Sequence, residues 1–139
     1  GQGAGRGACG MTVPSWIAET LRAFGRQLGL SAFALNDRGA AGVRFENGRA
    51  LYLEYGEGGL MVSVGLAADA SADTMRRLLT RAHPAAQAAG LKIRAVRLEK
   101  TGEARFVTRL DERDLTAAGL EQAFRALWQA ADVFGRSVA

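Results

Sequence analysis

Over residues 43–67 short runs of alternating apolar and polar side chains are cut twice by turn residues, with no helical stretch between them. Asn47-Gly48 and Gly56-Glu57-Gly58-Gly59 divide this stretch into three predicted strands, 43–46, 50–55 and 60–67. Strands joined by turns this short must lie side by side and antiparallel, because parallel neighbours need a crossover of about a dozen residues or more. Leu51, Leu53 and Tyr55 share one face of the second strand, and Leu60, Val62, Val64 and Leu66 one face of the third, so the sheet buries one side. Two further strands, 93–100 and 104–111, are joined by Thr101-Gly102-Glu103 as a second hairpin.

Helical spacing takes over on either side of these strands. Pro14 and Ser15 form a start signal, Ile17, Leu21, Phe24 and Leu28 follow on one face, and Gly29 stands where a left-handed cap is wanted. Asn36-Asp37-Arg38-Gly39 then reads as a turn. Ser71 or Asp73 can cap a second helix bearing Met75, Leu78, Leu79 and Ala82, which Pro84 ends or kinks. Thr116 can cap a third, bearing Leu120, Phe124, Leu127, Ala131 and Phe134. The predicted order is α-β-β-β-α-β-β-α, an α+β fold with an antiparallel sheet packed against helices. A chain of 139 residues suits one domain. We place it at residues 14–139, behind a flexible glycine-rich tail at 1–13 that has too little apolar surface to offset the entropy of ordering.

Several function classes find no support. No apolar run approaches the ~20 residues that span a bilayer, and the N-terminal segment has no apolar core of a secretory signal, so the expectation is a cytoplasmic protein without membrane insertion. Cys9 is the single cysteine and has no second thiol for a disulfide, zinc or redox motif. Gly5-Arg6-Gly7-Ala8-Cys9-Gly10 matches the letters of a dinucleotide fingerprint but lacks the strand before it and the helix after it. His83, the single histidine, precedes Pro84 at a helix end, where it can bond the last carbonyls. Asp111, Glu112 and Asp114 cluster ahead of the last helix, where its dipole favours negative charge. No catalytic, metal or cofactor set is expected. The charge of +4 is spread thinly over arginines in every element. Arg94, Arg97, Arg105 and Arg109 gather on the second hairpin, but only Phe106 accompanies them for stacking, and Glu99 and Glu103 can pair with them. A basic nucleic-acid-binding domain of similar fold is therefore the lesser alternative.

Three amphipathic helices and five strands offer more apolar faces than one thin sheet covers, so some of them should meet another chain. Trp16 beside Ile17, and Met61 on the strand face opposite Val62, are candidate anchors for a partner.

The order and spacing of Leu21-Arg22-Ala23-Phe24-Gly25-Arg26-Gln27-Leu28-Gly29-Leu30, Leu51-Tyr52-Leu53-Glu54, Leu60-Met61-Val62-Ser63-Val64-Gly65, residues 75–82 with their double leucine, and residues 120–134 resemble the class I chaperones of type III secretion. The resemblance covers residues 15–138. It implies a cytoplasmic bacterial homodimer without enzyme activity or cofactor, around which an extended segment near an effector's N-terminus is wrapped. It further implies strand addition at a sheet edge beside apolar pockets. On this sequence Ile17, Leu21, Phe24 and Met61, with Trp16, make the expected effector-binding set. Met75, Leu78, Leu79, Val96 and Leu98 make the expected dimer interface. The chain departs from its likeness in being basic where the family is typically acidic, which leaves room for an acidic partner segment, and in carrying Ala82-His83-Pro84 where an alanine-asparagine pair is common.

Overall fold

The computed structural model describes residues 13–30, 33–67, 73, 90–98 and 100–138. Helix α1 (Ser15–Gln27) starts at Pro14, whose carbonyl accepts the Ile17 and Ala18 N–H groups at 3.0 and 3.2 Å. It stops as expected at Gly29, whose φ of +78° an L side chain rarely adopts. The Gly29 and Leu30 N–H groups then turn back to the carbonyls of Arg26 and Gly25 at 3.0 and 2.8 Å, the double bond of a Schellman motif. Gly25 is fixed by packing, since a Cβ there would lie 2.7 Å from the Cβ of Phe33.

Strands β1 (Ala40–Arg44), β2 (Ala50–Gly56), β3 (Gly59–Ala67), β4 (Arg94–Leu98) and β5 (Glu103–Asp111) form one sheet in the order β1-β2-β3-β5-β4. Every neighbouring pair is antiparallel. A 3-10 turn (Glu112–Asp114) leads into helix α2 (Ala117–Val138). Thr116 caps α2 as expected, its Oγ1 accepting the Gly119 N–H at 2.9 Å.

The strand bounds differ from expectation where side chains close the turns. β1 begins earlier and ends before Phe45, because Asn36 Oδ1 accepts the Arg38 and Ala40 N–H groups and closes the preceding turn, while Phe45 and Arg49 already flank the next one. β4 is shorter than 93–100 because the Gly102 N–H bonds the Leu98 carbonyl at 2.8 Å. The pairing of Gly56 with Gly59 leaves a two-residue turn, Glu57-Gly58, with both residues at positive φ, 52° and 75°. That is the I′ geometry matched to strand twist. The helix expected over residues 75–82 lies outside the described residues, as does the tail except for Val13; Asp73 is described and is helical.

Both helices cover one sheet face. Ile17, Leu21 and Phe24 of α1 and Leu120, Leu127 and Phe134 of α2 meet Leu51, Leu53, Leu60, Val62, Val64 and Phe106 of the sheet, all within 1% of full burial. Phe106 and Phe134 pack edge to face at 5.7 Å. Burying each such side chain contributes about 1.5–3 kcal/mol, so this layer fixes which way the sheet faces. Among the described residues no helix is long and apolar enough to cross a membrane.

Candidate protein-binding site

The sheet ends in two edges that are chemically unlike. β4 carries Arg94 and Arg97, both exposed, the kind of charge that blunts an edge. β1 is mostly small: Ala40, Ala41, Gly42, Val43 and Arg44. The bonds from the Phe45 N–H to the Arg49 carbonyl at 2.7 Å and from the Tyr55 N–H to the Gly39 carbonyl at 2.8 Å mark the pairs that bond toward β2. By alternation, Ala40, Gly42 and Arg44 turn their backbone groups away from the sheet. Asn36 takes up Ala40, donating its N–H to the Ala40 carbonyl at 2.7 Å and accepting the Ala40 N–H on Oδ1 at 3.1 Å. The N–H and C=O of Gly42 and Arg44 remain without partners among the described residues.

Beside this edge stands an aromatic wall. Phe45 lies 5.4 Å from Trp128 and 6.1 Å from Phe124, and the last two are 5.3 Å apart on adjacent turns of α2. Phe124 continues inward to Phe24 at 6.1 Å. Phe24 and Phe33 are buried, whereas Phe45, Phe124 and Trp128 are half-buried and give the wall an open side. Arg49 holds the β1–β2 turn against it, with Nη2 2.7 Å from Asp132 Oδ1 and its guanidinium 4.5 Å from the Trp128 ring centre.

On the opposite sheet face Glu103, buried, accepts the Tyr52 hydroxyl at 3.0 Å and Arg105 Nε at 2.7 Å, while the Arg105 guanidinium covers the Tyr52 ring at 3.9 Å. Gly65 makes room for this group, because a Cβ there would come within 2.7 Å of Glu103 Oε2. The carboxylates before α2 also serve the fold: Glu112 accepts the Tyr55 hydroxyl at 2.6 Å, and that bond, helped by burial and by the carboxylate's charge, raises the Tyr55 pKa above its ordinary 10.0. Arg109 Nη2 closes the same end by bonding the Gly56 and Glu57 carbonyls at 3.1 and 2.6 Å.

A strand edge unpaired among the described residues and flanked by apolar side chains is equipment for holding another polypeptide, and comparison with known proteins agrees with it. Residues 16–133 match the model of the type III secretory system chaperone SycN family. The chain belongs to this family. No curated protein sequence matches it. Among solved structures it resembles the ExsC-ExsE complex at a TM-score of 0.72 and 18% identity, over 92% of this chain and 97% of that one. It resembles the HopA1-SchA chaperone-effector complex at 0.60 and 21%, over 86% and 97%. The ExoT-SpcS complex from Pseudomonas aeruginosa follows at 0.61 and 16%, over 87% and 97%. At these identities the likeness establishes a shared α+β fold.

The residues expected to bind an effector do not form one surface in this family member. Ile17, Leu21 and Phe24 are at most 1% exposed, buried in the core that α1 shares with α2 and the sheet, so their side chains offer a partner no surface in this conformation. Helical spacing reports which face of α1 is apolar, and within the chain the core shared with α2 takes that face, Phe24 packing on Phe124 at 6.1 Å. Trp16 is 44% exposed on the outer side of α1. Met61 is half-buried on the far face of the sheet, between Glu54 and Arg109. Of the residues expected at a dimer interface, Val96 is 39% exposed and Leu98 half-buried, both on edge strand β4, while Met75, Leu78 and Leu79 lie outside the described residues. Sequence reasoning passed over Phe45, Arg49 and Trp128. The signal was present in Asn47-Gly48, which sets Phe45 opposite Arg49, and in the one-turn spacing of Phe124 and Trp128.

Proposed function

We propose that this protein is a class I chaperone that works as a homodimer in the bacterial cytoplasm and holds the N-terminal segment of a type III secretion effector extended and competent for secretion. The observation that carries this reading is the open β1 edge at Gly42 and Arg44 beside the half-buried wall of Phe45, Phe124 and Trp128. An extended client gains main-chain hydrogen bonds from such an edge and apolar pockets for alternate side chains from such a wall. Trp16 and Met61 would extend the contact, and Met75, Leu78, Leu79, Val96 and Leu98 would join the two protomers. The protein acts by binding alone, with no catalytic step.

The test is capture of the tagged protein from its own nuclease-treated lysate, followed by mass spectrometry and limited proteolysis of what is held. One dominant partner protected near its N-terminus is the expected result. Retention of nucleic acid from untreated lysate, with no protein left after nuclease, would overturn the reading. For the dimer, replacing Leu78 and Leu79 together by glutamate should give monomer or aggregate by light scattering, and a soluble dimer of unchanged mass would refute that interface.

A further inference from the structure

We propose that the groove between the 3-10 turn and the β4–β5 hairpin is a second docking site, built for an acidic, aliphatic segment of a client polypeptide. The inference rests on the reading of this chain as an escort of extended clients and adds a second point of hold, across the sheet from the β1 edge.

The groove is half-open and encloses about 1040 Å³. Its apolar lining includes Met61, Leu91 and Val107, which can receive aliphatic side chains. Around them stand Lys92, Arg94, Arg109 and Arg113, against two carboxylates, Asp111 and Asp114. The two carboxylates lie at the outer reach of an ion pair with the exposed Arg113, at 3.9 and 4.0 Å, so the four cations outnumber them on the lining. Arg109 is held by the neutral carbonyls of Gly56 and Glu57 and has no ion pair among the described residues. Lys92 and Arg94 are exposed and pair with no carboxylate among the described residues. Register brings these cations together: Arg94 lies opposite Val107, and Arg109 opposite Met61. The groove is thus a cationic rim around an apolar floor, and an acidic segment with aliphatic side chains is complementary to both.

A nucleic acid fits less well. The described lining holds no aromatic side chain on which a base could stack, and Asp111 and Asp114 would face phosphates.

Fluorescence anisotropy tests this with a fluorescein-labelled peptide of Glu-Leu-Ser repeats and its Lys-Leu-Ser counterpart, both at fixed ionic strength. The acidic peptide should bind at least tenfold more tightly and weaken as salt rises. K92E/R94E should abolish the preference and K92S/R94S should reduce it, while Arg44→Pro should leave it intact. All three substituted side chains, Lys92, Arg94 and Arg44, are exposed, so the fold should survive, and circular dichroism verifies it. Equal binding of the two peptides, or an unchanged preference in K92E/R94E, overturns the proposal. So does tighter binding of an oligothymidylate than of the acidic peptide. A dimer that K92E/R94E converts to monomer does so too, because the groove would then be covered by a second copy. Equal binding of the two peptides by the parent protein, with Arg44→Pro still weakening client capture, would remove this site and leave the escort function standing.

Discussion

Arg44→Pro isolates the strand edge. The Arg44 N–H points away from β2, so proline there removes no bond of the native ladder, and the residue's exposed position tolerates the ring. The side chain gives up one long contact, 3.3 Å from Arg44 Nη1 to the Gly48 carbonyl. Folding stability should therefore change by less than about 0.5 kcal/mol. Client binding should change far more. Gly42 and Arg44 offer four backbone groups, each worth about 1 kcal/mol net when paired, so the edge contributes about 4 kcal/mol, a factor of about a thousand in Kd. Proline deletes one donor outright, and its ring holds an incoming strand away from the rest. The expected loss lies between about tenfold and a thousandfold. Isothermal titration with the client's N-terminal segment measures it, Arg44→Ala controls for the lost charge, and thermal denaturation checks the fold. A Kd within twofold of the parent in a fully folded Arg44→Pro protein would refute strand addition at β1.

Asp132→Ala leaves the Arg49 guanidinium, whose side chain is 14% exposed, without its carboxylate; because Asp132 itself is 38% exposed, the cost should be about 1–2 kcal/mol by urea denaturation, below the full penalty of a buried pair. Glu57→Asn should stabilise the protein by about 0.5 kcal/mol, since Asn tolerates the left-handed φ of 52° better than Glu and Asn-Gly is the favoured I′ pair; a lower Tm would count against strain at that turn. Tyr55→Phe removes the bond to Glu112. Because the folded-state pKa of Tyr55 is raised, its contribution is fully present below the ordinary value of 10.0 and is lost as pH rises through the folded value. The stability gap between parent and Tyr55→Phe should accordingly be constant from pH 7 to 9 and close above 10, and a gap that widens with alkali would contradict the assignment.

The chain's local chemistry was legible from its letters. Gly29 and Thr116 cap the two helices where they were expected to, and Asn36 and Asn47-Gly48 make the turns, because each needs only neighbours a few residues away. The α+β class followed from strand periodicity and turn length, since three strands with no room for a helix between them must form a meander. Long-range choices were another matter. That β5 and not β4 pairs with β3 depends on matching two nine-residue strands side by side and sealing Phe106 and Leu110 beneath the helices, while the arginines of β4 go to the edge. The burial of three of the expected binding residues has the same origin. An apolar stripe such as Ile17, Leu21 and Phe24 announces that something covers it, and whether that is the chain's own sheet or a partner is decided by which surfaces meet in space. Periodicity is a property of one segment, whereas the wall of Phe45, Phe124 and Trp128 joins segments far apart in the chain, and which strand edge is left at Gly42 and Arg44 is decided only once the sheet has closed around its core.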